Sequence, residues 1–290
     1  MGINHKMSFC IPRISLSALL VCFISGIILT CQYYPFGNVF RNVEEITTVI
    51  PYGFFFRRLH YASGQLFVIL MLIHIVDHFM KRRYKGFSVG KWAGLVIPLI
   101  ICFFILFTGY ILKGDKEGIY AGNIFYNILK EIPVAGETIT RFVIRPGEMF
   151  FWLPYLYHVF FLPILLIFLI RDHINNWFSQ AGFLLFTTAG LFIYSLLVRM
   201  PMDIPPHAKI ELVKGPWFFL GIQVCLGVLP PIVAGIAAPL IFFAILLLLP
   251  GLKGHLQKAV HYGIIFLSLF YTFLVIFGYF FIKHSWVLSR

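Results

Sequence analysis

Long apolar runs separated by shorter polar stretches dominate the chain. Read with a window of about 19 residues, seven runs emerge: Ile14 to Tyr34, Phe54 to Met80, Trp92 to Leu112, Phe150 to Ile170, Ala181 to Val198, Pro230 to Leu249 and Val260 to Ile282. They are unbroken and close to the length a helix needs to cross a bilayer, whereas a barrel would show short alternating segments. Only helices or closed barrels satisfy their backbone in hydrocarbon. The pattern therefore predicts an all-α polytopic membrane bundle of about seven transmembrane helices. Pro and Gly in the last two runs are compatible with membrane helices. No internal repeat is evident. A seam near Trp177 to Gln180 divides a four-span half, residues 1–176, from a three-span half, residues 177–290.

Composition agrees with a membrane protein: 60% of residues are hydrophobic, 18% aromatic and only 12% charged. The net charge of +12 lies at segment ends, which fits topology and anionic lipid better than nucleic acid. The loop from Lys81 to Lys91 carries Lys81, Arg82, Arg83, Lys85 and Lys91 and no acid. Loops 35–53, 113–149 and 199–229 mix bases with nearly all the acids. The positive-inside rule then puts the N-terminus and the 81–91 loop on the cytoplasmic side of a bacterial cytoplasmic membrane, or of an equivalent energy-transducing one. Lys6 and Arg13 precede an apolar run that lacks a small-residue cleavage site, so it reads as a retained first span. The cysteines Cys10, Cys22, Cys31, Cys102 and Cys225 form no C-x-x-C, so nothing supports a zinc site, a disulfide framework or an ordinary c-type haem motif.

Histidines inside the runs carry the chemistry, because ionisable groups are expensive in hydrocarbon. His60 and His74 on the second span are 14 residues apart, and His158 and His173 on the fourth are 15 apart. At helical rise and twist, each pair shares one face within roughly 40–60° and is separated by about 21–22 Å. Spans two and four run in the same direction, so the four residues define two bis-histidine sites, one near each surface. A lone membrane histidine usually serves packing or hydrogen bonding; four at matched spacing point to two bis-imidazole b-type haems. Zinc or copper would need ligands clustered within a few ångströms. His78 competes with His74 on the same face but lies about 6 Å further along the helix. The rise between His158 and His173 favours His74.

Neighbouring residues fit the same picture and also have plainer readings. Gly64 and Gly109 are expected to admit a flat macrocycle, or simply to pack helices closely. Arg57 and Arg58 are placed to meet haem propionates, or to snorkel at the interface.

These residues resemble the cytochrome b family of quinol–cytochrome c and plastoquinol–plastocyanin reductases. Ser25 to Pro35 looks like the end of that family's first helix, Arg57-x-x-His60 with His74 its second, and Phe107-Thr-Gly-Tyr110 the end of its third. Ile132-Pro133-Val-Ala-Gly136 is similar to the family's outer loop, and His158-x-x-x-Leu162-Pro163 to its fourth helix. The 15-residue spacing resembles the plastid type, with the four-span and three-span parts fused into one chain. The resemblance implies a diheme four-helix core, quinone or quinol as substrate, Rieske-type iron–sulfur and/or c-type cytochrome subunits as partners, and a dimeric complex.

Two places depart from the family pattern. Gly215-Pro216-Trp217-Phe218 stands where the family has Pro-Glu-Trp-Tyr, whose glutamate accepts a quinol proton. Leu112-Lys-Gly-Asp115 replaces its Leu-Pro-Trp. Trp217 is retained at the outer site, and Asp115, Glu117, Asp203, His207 and Glu211 are the candidate replacement proton acceptors; as loop charges, each has solvation as its plain alternative. Cys10, just before the first span, corresponds to a cysteine that holds an extra haem in the plastid-type protein; a buried structural thiol is the alternative.

The sequence therefore predicts a subunit that carries electrons across the bilayer between quinone sites. Its competitors are a diheme anchor serving one bound oxidoreductase and one quinone site, and a haem-free transporter using histidines as a proton relay.

Overall fold

Every expected apolar run is helical, and the long loops hold further helices of their own. A computed structural model describes residues 2–177, 180–198, 203–209 and 213–281, with side chains from Cys10 onward. Helix α1 spans Gly2–Thr30, α2 Val39–Thr48, α3 Gly53–Met80 and α4 Val89–Ile111. Then come α5 (Lys116–Lys130), α6 (Gly136–Val143), α7 (Trp152–Trp177) and α8 (Ala181–Leu197). Last are α9 (Trp217–Leu226), α10 (Val233–Gly251) and α11 (Gly254–Phe281). No strand occurs among the described residues.

Among the described residues, six helices are long and apolar enough to cross a membrane: α1 from Cys10, α3, α4, α7, α10 and α11. The fifth expected span is α8, whose 17 residues reach only about 25 Å. The predicted all-α membrane bundle is what the chain forms. Its boundaries differ where hydropathy and backbone part company. Helix α1 ends at Thr30 rather than Tyr34, where the N–H groups of Gln32 and Tyr33 both turn back to the Leu29 carbonyl. Helix α7 runs past Ile170 through Arg171, Asp172 and His173, because charge stops an apolar run without stopping a helix. Ile282, Glu211 and residues 178–179 of the expected seam lie outside the described residues.

The loop helices were not expected. In α2, Val39, Val43 and Ile46 are buried at helical spacing, and Asn38 caps the helix by accepting the Arg41 N–H at 3.0 Å. At the α2–α3 corner Gly53 is required by space: a Cβ there would lie 1.8 Å from the Ile46 carbonyl oxygen.

The chain forms two compact units. The first comprises α1 to α3, the middle of α4 (Gly94–Leu106), α7 from Leu156, and α8. Its core sets α1 against α3 through small residues, with Ala18 and Ser63 fully buried and Ser25 nearly so. Close backbone approach of this kind gains dispersion that lipid tails cannot match. The serine hydroxyls are accommodated because Ser25 donates to Val21 O at 2.7 Å and Ser63 to Leu59 O at 2.6 Å.

Helix α7 contains one π turn, Tyr157–Phe161, in which the Leu162 N–H reaches back to the Tyr157 carbonyl. Pro163 follows after Leu162, and its ring disfavours a regular α-helical carbonyl at Val159. The wider turn absorbs one extra residue. Helix α10 opens with the same device at Val233–Ala237, again one residue ahead of a proline, Pro239.

The second unit holds both ends of α4, helices α5, α6 and α9 to α11, and the first turn of α7. Trp92 is fully buried there and donates to the Leu246 carbonyl at 2.8 Å. Tyr271 on α11 donates to the Phe218 carbonyl at 2.6 Å, tying α11 to α9.

Candidate functional site

In the first unit, α3 and α7 bring the rings of His60 and His158 together. Their ring centroids are 5.9 Å apart with the planes at 80°. The Nδ1 of His60 lies 2.9 Å from the Cys22 carbonyl, and the Nδ1 of His158 lies 2.9 Å from the Ile105 carbonyl. A carbonyl can only accept, so each Nδ1 carries the proton and donates. Each Nε2 is left with its lone pair, the tautomer of a metal-ligating histidine held by its outer partner. Two imidazoles sharing one metal ion at roughly 2 Å per bond, with about 1 Å from ring centre to nitrogen, have centres close to 6 Å apart. The pair fits one iron.

Helix α1 completes this environment; the resemblance took in Ser25 to Pro35, but the approach of Cys22, Ser25 and Gly26 to His60 was not expected. Besides the carbonyl, Ser25 Oγ is 3.5 Å and Cys22 Sγ 3.6 Å from His60 Nδ1. A Cβ on Gly26 would meet the His60 Cε1 at 2.9 Å, inside normal contact. The adjacent Ser25-Gly26 pair was the available signal, since small residues in a membrane helix mark close approach.

Further along the same helices, His74 is a neighbour of His173 and His78. The rings of His74 and His78 are 4.3 Å apart. His78 is buried and engaged at both nitrogens, with Nδ1 3.0 Å from the His74 carbonyl and Nε2 3.3 Å from Arg83 Nη1. A guanidinium against Nε2 occupies the position a metal would need.

The other predicted residues of this unit have protein partners. Arg57 donates to Thr47 Oγ1 at 3.0 Å; Arg58 donates to the Ser195 carbonyl at 3.4 Å and lies 5.2 Å over the Phe54 ring. A Cβ on Gly64 would touch Cys22 Sγ at 3.4 Å, so Gly64 packs α3 against α1. Cys10 is a free, half-buried thiol at the start of the first span.

In the second unit, three of the predicted proton acceptors converge on one lysine. Lys113 Nζ lies 2.7 Å from Asp115, 2.9 Å from Glu117 and 3.7 Å from Asp203. Asp115 is fully buried and caps α5 by accepting the Gly118 N–H at 2.8 Å. Burial raises the Asp115 carboxyl above its ordinary range, against the pull of Lys113. The Lys113 ammonium is itself raised: burial opposes it, but Asp115 and Glu117 outweigh burial. His207 is exposed on its loop. Trp217 is 38% exposed and set edge-on to Phe218 at 5.5 Å. Gly109 sits half-buried in the last turns of α4. A separate open cleft of about 600 Å³, lined by Tyr126, Glu137, Arg141 and Arg145 among others, contains none of the predicted residues.

Residues 2–181 match the family model described as cytochrome b/b6/petB, well over half of the chain. The chain belongs to this family. Membership implies b-type haem, which the His60–His158 pair fits. The chain is 27% identical over 162 residues to a cytochrome b6 of Cyanothece sp., covering 54% of this chain and 73% of that one. It is 25% identical over 174 residues to the menaquinol:cytochrome c reductase cytochrome b subunit of Geobacillus thermodenitrificans, covering 57% and 76%. A solved chain of a hyperthermophilic respiratory Complex III shares the fold, with a TM-score of 0.67 at 16% identity over 94% of this chain and 84% of that one.

Proposed function

We propose that the chain is the haem-bearing membrane subunit of a quinol–cytochrome c type oxidoreductase. His60 and His158 would hold one b-type haem, and His74 and His173 a second nearer the other surface. The observation that carries the reading is the His60–His158 pair, 5.9 Å between ring centres with both Nδ1 atoms anchored on carbonyls. When bound, b-type haem supplies a one-electron carrier, and two at different depths connect the membrane surfaces. The chain's own residues position and tune. The Cys22 and Ile105 carbonyls fix the histidine tautomers and raise their basicity, and the apolar helix faces keep water away.

Arg57 and Arg58 are the cations at the mouth of the outer site. The outer quinone pocket would be built from segments 113–136 and 203–220 with Trp217, and the inner one from the N-terminal segment with Arg171, Asp172 and His173. The diheme domain then covers residues 1–176 and the outer-loop domain 177–290. Cys10 is placed to hold a third haem through one thioether bond. Electrons would leave through Rieske-type iron–sulfur or c-type cytochrome subunits in a dimeric complex, with this chain's N-terminus on the cytoplasmic side.

A second reading, a diheme anchor with a single quinone site, draws on Pro216. It occupies the N-cap of α9, so the chain has no carboxylate at that position.

A pyridine haemochrome spectrum before and after acid–acetone extraction tests both the count and the linkage. Two extractable b haems per chain support the core assignment, and a residual covalent haem lost in Cys10→Ala establishes the third. His74→Ala should remove about one b haem while His78→Ala retains both; the opposite result overturns the inner ligand assignment. Quinol oxidation insensitive to outer-site inhibitors would favour the anchor.

A further inference from the structure

Burying charge inside a membrane protein is costly enough that such groups usually mark function. Around Lys113 the second unit gathers four ionisable groups from three segments: the end of α4, the start of α5, and the loop that leads towards α9. The side chains of Asp115, Asp203, Lys113 and Glu117 are 0%, 13%, 23% and 26% exposed. With every acid ionised, one cation would face three anions. Asp115 Oδ2 and Glu117 Oε2 both lie within 3 Å of the same nitrogen, so they stand within about 5.6 Å of each other. Carboxylates that close cannot both ionise freely, and burial of Asp115 adds to the effect.

The geometry also offers a place for a proton and a means of responding to it. Asp115 Oδ1 takes the Gly118 N–H, whereas Oδ2 is buried and receives no aligned hydrogen bond, although Lys113 is beside it. The Tyr110 hydroxyl lies 3.0 Å from Glu117 Oε2 and 3.2 Å from the Lys214 carbonyl. Its single proton serves one acceptor at a time. With Glu117 ionised the hydroxyl points to the carboxylate; with Glu117 protonated it is free to turn to the carbonyl. The loop bearing Asp203 is fastened in register, since the Lys116 backbone N–H donates to Ile204 O at 2.8 Å and Lys116 Nζ to Ala208 O at 2.6 Å. Among the described residues of these segments, the other charged groups are Lys116, whose ammonium also lies over the Tyr120 ring, the exposed His207 and Lys209 on the loop, and Lys214, whose ammonium turns to the Tyr279 carbonyl.

We propose that Asp115, Glu117 and Asp203 share one exchangeable proton around Lys113, with the Tyr110 hydroxyl reporting whether Glu117 holds it. Glu117 is the most accessible of the three acids and receives the proton; Asp115 stores it. Its use by a hydroquinone rests on the function proposed above. In that step one hydroquinone O–H bond breaks, one O–H bond forms on Glu117, the substrate is left as its monoanion, and no electron moves.

The test is infrared difference spectroscopy of the purified full-length protein, titrated between about pH 5 and pH 9 in light and heavy water. A protonated carboxyl band should appear in the wild type and be lost or shifted in Asp115→Asn and Glu117→Gln. Tyr110→Phe should move its frequency without removing it, and Glu131→Gln, an exposed control, should leave it alone. Lys113→Met should increase the protonated signal. Circular dichroism on each variant establishes that it is folded. A wild type without such a band, or a band unchanged in Asp115→Asn, Glu117→Gln and Asp203→Asn alike, overturns the proposal. Haem content measured on the same samples separates the two claims: haem without the band sinks the proton site alone, and the band without haem sinks the haem assignment alone. If the hydroquinone is the donor, Glu117→Gln slows quinol-driven haem reduction roughly tenfold and flattens its pH profile, while dithionite reduction is unchanged. An unaltered quinol rate overturns the assignment of the donor.

Discussion

At the scale of single residues, Gly26 is the position that bears most directly on the histidine pair. Its missing side chain lets the His60 ring lie against α1 with Nδ1 on the Cys22 carbonyl, and a Cβ would stand 2.9 Å from the ring. Gly26→Leu should turn the imidazole away from His158 and lower the haem content by about one b haem per chain, read as haem per protein; full occupancy in that variant would contradict the role. Asp115 gives a second expectation, this one in pH. Its carboxyl is raised above the ordinary 3.8, first by burial, so folding favours the protonated form. The associated stability is complete below 3.8 and is lost as pH rises through the higher folded value. Lys113 adds no slope in that window, because its own raised value keeps it charged until alkaline pH. The thermal midpoint should therefore fall with rising pH in the wild type and flatten in Asp115→Asn, which retains an oxygen for the Gly118 cap. Parallel slopes for the two proteins would exclude the assignment.

At the scale of elements, α7 shows how much the sequence disclosed and where it stopped. The spacing of His60 to His74 and of His158 to His173 differs by one residue, and the pattern alone treats the two as matched in rise. The π turn at Tyr157–Phe161 accounts for the extra residue, and it includes His158 itself. Periodicity assumes a uniform helix, so a local change of winding is invisible to it; Pro163, in plain view, was the physical cue. The helices α2, α5 and α6 escaped for another reason. They are short and half-polar, and hydropathy read over a membrane-length window averages them away. Partnership was equally hidden: His60, His74, His158 and His173 stand out one by one, but that Cys22 and Ile105 supply the carbonyls depends on packing. Pro163→Ala restores the N–H that regular winding needs. It should convert the π turn to α-helix, rotate His158 by about 100° relative to His173, and deplete one haem with little change in helicity. Retention of both haems would show that the π turn does not set the register.

For the whole molecule, the strongest remaining inference from sequence is orientation. Charge is distributed along the chain in a way packing cannot explain: Lys81, Arg82, Arg83, Lys85 and Lys91 occupy one short connection, whereas the acids gather in the longer loops. Some of these bases are held locally, Lys81 and Arg83 by Asp77 and Arg83 also by His78, but such exposed pairs contribute little to stability. Their concentration is better explained by insertion, where Lys and Arg near a span resist translocation. The orientation we propose has α1 crossing first, with the N-terminus and the α3–α4 connection on the cytoplasmic side and the 113–149 loop on the other. Alkaline phosphatase fused within the 113–149 loop should be active, and the same reporter in the 81–91 loop silent. Replacing Lys81, Arg82, Lys85 and Lys91 by glutamine should weaken that contrast while leaving Arg83 on His78. The reverse pattern of reporter activity would invert the molecule and move the proton cluster to the cytoplasmic side, where it could not take the place of an outer-surface acceptor.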